Sequence, residues 1–220
     1  MSTFLVTGCG RGVGLALTKA LLARGDRVIG SLRGGEAPLT HERFELVRFD
    51  VRDRAAIEAA ASGVQGPIDV LVNNAGIIGP RTPALAMDFD AFAETLDVNV
   101  LGALRVVEAF LPLLREARGA KVLTISSQLG SMAYPGSDRI AYRASKAALN
   151  KVMQGLALDL ADEGIAVLTA HPGWVRTDMG GAGADIAPEE SAAGLLRLVD
   201  RLTLETTGRF LDWDGSPRPW

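Results

Sequence analysis

Tyr142 and Lys146 stand four residues apart in the run Tyr142-Arg143-Ala144-Ser145-Lys146. The residues that follow, on through Leu156-Ala157-Leu158, are good helix formers without a proline, so the spacing predicts a helix that carries both side chains on one face. A free phenol titrates at about 10 and is a poor acid or base at neutral pH. A fixed ammonium beside it favours the phenolate and draws that value toward the working range. Such a pair can hand a proton to a developing alkoxide or take one from an alcohol. The pattern is short, and alone it describes any amphipathic helix equally well, so the elements around it must decide.

A second chemical feature lies near the start. Thr7-Gly8-Cys9-Gly10-Arg11-Gly12-Val13-Gly14 follows the apolar run Phe4-Leu5-Val6 and precedes the helical pattern Leu15 to Ala23, closed by Gly25. Glycines in a first βα turn permit a tight bend and a close approach of backbone to a pyrophosphate. The helix start behind them offers free N–H groups and a positive dipole end. The spacing is G-x-x-x-G-x-G through Gly8, Gly12 and Gly14, not the commoner G-x-G-x-x-G. No Gly-Lys-Ser/Thr follows, which disfavours a nucleoside-triphosphate enzyme.

The order of elements fits this placement. Buried strands are predicted at Phe4–Val6, Arg27–Leu32, Phe44–Phe49, Ile68–Val72, Lys121–Ile125 and Ile165–Ala170, with a seventh, edge strand at Gly208–Asp212. Helices are predicted over Arg54–Ala61 with Asp53 as N-cap, Asp88–Asn99, Val100–Arg115 across Pro112, the Tyr142 stretch, and Pro188–Leu202. Strands alternating with helices imply an α/β fold: one doubly wound, mostly parallel seven-stranded sheet of the Rossmann type, with helices on both faces. The 220 residues are read as a single domain, without repeat or linker.

Composition narrows the class. A net charge of -3 with interspersed signs gives no basic surface for nucleic acid. The single Cys9 excludes an intrachain disulfide and fits a reducing compartment. His41 and His171 lie far apart and offer no metal-ligand spacing. No apolar run approaches the ~20 residues of a membrane span, and the first residues lack a signal-peptide pattern. A cytoplasmic protein acting on a small molecule, with neither membrane nor nucleic acid as partner, is the expectation.

Taken together, Thr7-Gly8-x-x-x-Gly12-x-Gly14, Asn73-Asn74-Ala75-Gly76, Asn99, Ser127, Tyr142-x-x-x-Lys146 and Pro172-Gly173-x-Val175-x-Thr177 resemble the short-chain dehydrogenase/reductase family, in the family's own order. Two further stretches, His171 to Gly181 and Gly208 to Gly215, look most like its compact C-factor-like and sniffer-like carbonyl reductases. The resemblance implies Tyr142 as general acid/base, Lys146 as the group that lowers its pKa and binds the nicotinamide ribose, and Ser127 as hydrogen-bond partner of the substrate oxygen. Asn99, on the fourth helix, would hold a water that relays protons to Lys146. Ser127 is preferred to Ser126 because neighbouring side chains on a strand end point to opposite sides, and because Ser127-Gln128-Leu129-Gly130 resembles the family's Ser-x-x-Gly. The loop to Tyr142 is about two residues longer than the usual pattern, around Pro135 to Arg139.

For the cofactor, the second strand ends Gly30-Ser31-Leu32-Arg33 with no acidic residue to bind a ribose 2′-hydroxyl. Arg33 and Arg11 offer cations for a 2′-phosphate instead, which favours NADP(H) over NAD(H). Asp50-Val51 resembles the adenine-contacting pair. With Val13, Asn74, Ala75, Gly76, Pro172, Gly173, Val175 and Thr177 these complete the expected cofactor site. Between Thr177 and Pro188 the chain is mostly Gly, Ala and Asp, which reads as a short, flexible substrate lid over about residues 178–188. Cys9 reads as a spacer and His171 as structural. The expected activity is NADP(H)-dependent reduction of a carbonyl or oxidation of an alcohol; a cofactor-binding, C-factor-like signalling protein with little turnover is the alternative. Association into homodimers or homotetramers through the fourth and fifth helices is a property of the resemblance, and a longer-chained sugar-nucleotide epimerase is disfavoured.

Overall fold

A computed structural model describes residues 1–220. Seven strands form one sheet: β1 (Thr3–Thr7), β2 (Arg27–Leu32), β3 (Phe44–Arg48), β4 (Val70–Asn73), β5 (Lys121–Ile125), β6 (Ala166–His171) and β7 (Arg209–Asp212). Their spatial order is β3-β2-β1-β4-β5-β6-β7, and every pairing is parallel. Six helices cover it: α1 (Gly12–Arg24), α2 (Arg54–Gly63), α3 (Phe89–Leu96), α4 (Gly102–Glu116), α5 (Ile140–Ala161) and α6 (Pro188–Arg201).

The pleat explains why the strands read as continuous apolar runs. In β1, Leu5 faces one core while Phe4 and Val6 face the other; β4 repeats this with Leu71 against Val70 and Val72. The first core joins α2, α4 and α5 through Ile57, Val106, Phe110, Leu149 and Met153. The second joins α1 and α6 through Leu17, Leu21, Leu195 and Leu198. Each such side chain, fully buried, contributes roughly 1.5–3 kcal/mol to folding. Asp53 caps α2 as its sequence position requires, accepting the Ala56 N–H at 3.0 Å.

The strand order reverses at β1 and β4. From β1 the chain builds outward to β2 and β3, then returns to β4 and builds the other way. The loops leaving the carboxyl ends of β1 and β4 therefore diverge and leave a crevice, the place where open α/β sheets accept ligands.

Most element ends shift by one or two residues from expectation, and one boundary differs in kind. Asn99 belongs to neither helix but to a π-helical turn, Asp97–Leu101, that joins α3 to α4. The wider turn admits an extra residue and aims the buried Asn99 side chain inward.

Candidate active site

The crevice opens into a cavity of about 750 Å³ over the carboxyl ends of the strands. At one end stands the glycine loop. Gly8 and Gly12 adopt positive φ of 68° and 54°, and α1 begins on an Arg11 with no side-chain cap. Its first N–H groups, on Gly12, Val13 and Gly14, thus have no intrahelical acceptor, and Gly12 and Val13 line the cavity. A Cβ on Gly14 would lie 2.4 Å from the Gly8 carbonyl oxygen and from Asn74 Nδ2, and one on Gly12 would lie 3.2 Å from the Thr177 methyl. The loop is closed on itself: its Gly8 and Cys9 N–H groups donate to the Ser31 carbonyl, and the amides left without a cap are those that begin α1.

Thr7 couples this loop to the turn after β4. Its hydroxyl accepts the N–H groups of Asn74 (2.9 Å) and Ala75 (3.0 Å), while Asn74 Nδ2 donates to the Thr7 and Gly8 carbonyls. Gly76 completes the turn: a Cβ there would meet Asn99 Oδ1 at 3.1 Å and Lys146 Nζ at 3.8 Å. Past β2 and β3, Arg33, Asp50 and Val51 line the same end of the cavity. The Arg52 guanidinium holds the Asp50 carboxyl below its usual range, and Arg33 makes no ion pair. Arg11 does: its Nη1 lies 3.1 Å from Asp178, both side chains well exposed.

At the other end, α5 carries Tyr142 and Lys146 on one face, as their spacing predicts. Lys146 is 5% exposed and its Nζ donates to the Ile125 carbonyl at 2.9 Å, with no carboxylate near. Desolvation lowers its pKa to about 8. Its ammonium lies 5.7 Å from the centre of the Tyr142 ring. The tyrosine does not follow the simple expectation of a lowered pKa. Burial pushes it up, while the Ser127 hydroxyl and the Arg139 charge pull against that; the lysine, itself desolvated, does not reverse the shift.

The two serines separate as the alternation on a strand end demands. Ser126 Oγ turns to α5 and donates to Asn150 Oδ1 at 2.5 Å. Ser127 faces Tyr142 and accepts the Leu129 N–H. Asn99 sits behind: Oδ1 accepts the Ile77 N–H, and Nδ2 donates to the Ile77 carbonyl and to Ser145 Oγ, which donates in turn to the Tyr142 carbonyl. Asn99 thereby clamps the turn after β4 to the helix of Tyr142. Ser145 went unnoticed in the sequence because it lies inside the Tyr-x-x-x-Lys pattern.

The segment after β6 forms the roof. Pro172 accepts Ser191 Oγ through its carbonyl, and Gly173 takes φ 86° beneath Ile186 and Trp213. Val175 bridges to Ile186, Thr177 Oγ1 accepts the Gly180 N–H, and Arg176 Nη1 donates to the Ala184 and Asp185 carbonyls. The small residues of 178–188 suggest a flexible strap, and backbone and arginine bonds join its far end, Ala184 to Ile186, to Trp174–Arg176. His171, at the end of β6, lines the cavity with Nδ1 unpartnered, and burial lowers its pKa to about 4. Burial raises the Cys9 thiol to about 11, which leaves it inert.

A family model described as short chain dehydrogenase matches residues 2–185. The chain belongs to the short-chain dehydrogenase family. It is 43% identical to the C-signal protein of Myxococcus xanthus over 156 residues, 70% of this chain and 94% of that one. The carbonyl reductase Sniffer of D. melanogaster superposes with a TM-score of 0.95 at 30% identity, and an NADPH-bound carbonyl reductase from chicken fatty liver with 0.94 at 31%. Both cover the whole of this chain; the first is itself covered fully and the second over 99%. The compact carbonyl reductases expected from the sequence are thus among the relatives of this short-chain dehydrogenase, and its all-parallel sheet is the Rossmann fold of those structures. No group of His, Cys, Asp and Glu is arranged to hold a metal ion, and no helix is long and apolar enough to cross a membrane.

The cavity fits a nicotinamide dinucleotide on its own geometry. The uncapped amides of α1 suit a pyrophosphate, and the packed glycines leave room only for backbone.

Proposed function

We propose that the protein is an NADP(H)-dependent carbonyl reductase in which Tyr142 is the proton donor. The observation that carries this reading is the convergence of Ser127, Tyr142 and Lys146 at one end of a cavity whose other end is the uncapped glycine loop. Gly8, Arg11, Gly12, Val13 and Gly14 would hold the pyrophosphate side, and Asp50 and Val51 the adenine. Arg33, with Arg11, would hold a 2′-phosphate, and the lack of an acid at the end of β2 supports NADP over NAD. Asn74, Ala75 and Gly76, with Pro172, Gly173, Val175 and Thr177, would enclose the nicotinamide ribose. A bound nicotinamide supplies or accepts the hydride.

The chain's own residues handle the proton. With its pKa raised by burial, the Tyr142 phenol is protonated at neutral pH and ready to donate to a carbonyl oxygen. Ser127 orients that phenol and hydrogen-bonds the same oxygen. Lys146, charged below about pH 8, stabilises the tyrosinate left behind and binds ribose hydroxyls. Asn99 holds the backbone on which Tyr142 and Lys146 meet. The 220 residues act as one cytoplasmic domain, with residues 178–188 as a pinned lid. Exposed Leu104 on α4 and Leu158 on α5 support association of copies through those helices into a homodimer or homotetramer.

Purified protein should oxidise NADPH with an aromatic aldehyde. Tyr142→Phe should lower turnover by about 10²- to 10⁴-fold while NADPH affinity, read by fluorescence, stays within a few fold. Unchanged turnover would remove Tyr142 from the proton path. The similarity to C-signal favours one second reading, a cofactor-binding signalling protein. It predicts NADPH binding without oxidation for any carbonyl and a cellular effect that survives Tyr142→Phe.

A further inference from the structure

We infer that Arg139 is a specificity residue that pairs with a carboxylate on the carbonyl substrate. The inference rests on the reading of Tyr142 as the substrate's proton donor.

Arg139 is the one non-glycine residue of the chain with positive φ (52°). Glycine or asparagine takes that conformation more readily, and such outliers gather where a side chain is held for a task. It lies three residues before Tyr142 as the N-cap of α5, lines the cavity together with Ser127 and Tyr142, and is near enough for its charge to act on the phenol. Its neighbour Asp138 is committed elsewhere: Arg143 Nη2 donates to Oδ1 at 2.7 Å and Arg143 Nε to the Asp138 carbonyl at 2.9 Å. Arg139 keeps one ion-pair contact, Nε to Asp138 Oδ2 at 3.2 Å, and its terminal nitrogens donate no hydrogen bond within the chain.

The other arginines of the cavity have partners or a cofactor group in prospect, and Lys19 sits on α1, behind the glycine loop. Arg11 meets Asp178, and Arg176 is bound to backbone carbonyls. Arg33 stands at the dinucleotide end. A dinucleotide carries its negative charge on the pyrophosphate and ribose phosphate, whereas the nicotinamide end offers none to a guanidinium beside Tyr142. A planar fork with free terminal donors at the reacting end matches a substrate carboxylate in bidentate geometry. Glu189, the cavity acid without a cationic partner, belongs to the first turn of α6, where the helix dipole favours it.

The test compares two aldehydes of equal shape, 4-carboxybenzaldehyde and methyl 4-formylbenzoate, by NADPH oxidation. The wild-type ratio of kcat/KM should favour the carboxylate, and Arg139→Gln should reduce that ratio by about 10- to 100-fold. Arg139→Gly, which suits the left-handed backbone, should give the same loss and separates charge from folding. A ratio unchanged in both variants, with the two rates falling together, would show that Arg139 acts only through Tyr142 and overturn the inference. If neither aldehyde is reduced, the reductase reading fails by itself. Benzoate binding to the NADPH complex, read by calorimetry with benzamide as neutral control, then decides: at least tenfold weaker binding in both variants upholds the inference, and benzoate binding that is absent or indifferent to Arg139 overturns it.

Discussion

At the β1–β2 end of the cleft the charges stand in water: Arg11 keeps 79% of its side chain exposed and shares an ion pair with Asp178, and Arg33 is unpaired. At the β5–α5 end Lys146 is 5% exposed, has no counterion, and lies beside a tyrosine whose titration burial has raised. The first end is built from bare backbone amides and exposed cations, which attract an anion yet are screened by salt. The second is built from desolvated groups, whose protonation depends on burial and on what binds next to them. Substitutions at the two ends should therefore fail differently. The reacting end should trade activity against stability and respond to pH. The dinucleotide end should lose affinity and respond to ionic strength.

The largest expected effect is at Lys146. Lys146→Met should lower turnover by about 10²- to 10⁴-fold, and the wild-type rate should fall as pH rises through about 8, where the ammonium is lost. The same change should stabilise the fold. Between pH 10.5 and about 8 the unfolded lysine binds a proton that the folded one resists, so below that window the buried amine costs about 3 kcal/mol. Chemical denaturation at pH 7 should show the variant more stable by that order, with the gain shrinking toward pH 10.5. A variant that loses both activity and stability would mean that Lys146 is structural and that the contrast between the ends is false.

His171 gives the second test, at the same buried end. Its pKa is about 4 when folded against an ordinary 6.5, because burial opposes the imidazolium. The stability it contributes is complete above pH 6.5 and is lost as pH falls toward 4. Denaturation midpoints over that range should reveal about 3 kcal/mol that disappears in His171→Gln. An acid profile identical in the two proteins would assign the loss elsewhere.

How much of this was legible from the residues follows the same division. The glycine loop and the Tyr142–Lys146 face are local patterns, since spacing alone puts their residues on one turn or one helix face, and the parallel sheet follows from the alternation of strands with helices along the chain. The pleat lets only one of Ser126 and Ser127 face the cleft, and the resemblance of Ser127-Gln128-Leu129-Gly130 to the family's Ser-x-x-Gly chose between them. What stayed hidden depends on partners distant in sequence. The Thr7 hydroxyl finds Asn74 and Ala75 only when β1 and β4 pair. Asn99 leaves its helix because Ile77 and Ser145 offer it three hydrogen bonds. The contacts of Arg176 with the Ala184 and Asp185 carbonyls and the Val175–Ile186 bridge, which join the far end of the 178–188 strap to the segment before it, also have no mark in its run of small residues. Burial hides most of all: the raised tyrosine and lowered lysine have no signature in the sequence.

Gly14 tests the closed geometry of the dinucleotide end. An added Cβ would meet the Gly8 carbonyl oxygen and Asn74 Nδ2, both at 2.4 Å, and backbone cannot yield there without opening the turn. Gly14→Ala should weaken NADPH binding by about 10- to 100-fold, the equivalent of a modest overpacking penalty, while the pH dependence of the remaining turnover stays as in the wild type. A shifted pH profile would show that the two ends are not independent.

The smallest effect belongs to the exposed cations, and it separates two arginines that look alike in the sequence. Arg11 already has a carboxylate at 3.1 Å, so it must exchange Asp178 for a phosphate and gains only the difference. Arg33 has no ion pair to give up. Arg33→Ala should therefore reduce the preference for NADPH over NADH by about tenfold, the worth of one charge-assisted hydrogen bond in water-exposed surroundings. Arg11→Ala should reduce it by less, and Asp178→Asn should raise NADPH affinity slightly by freeing Arg11. All three effects should shrink as salt is raised from 0.05 to about 0.5 M, because the Debye length falls well below 10 Å over that range, whereas those at Lys146 and His171 should not. Equal losses at Arg11 and Arg33 would mean that the Arg11–Asp178 pair opens freely and that exposure, not pairing, sets what each cation contributes.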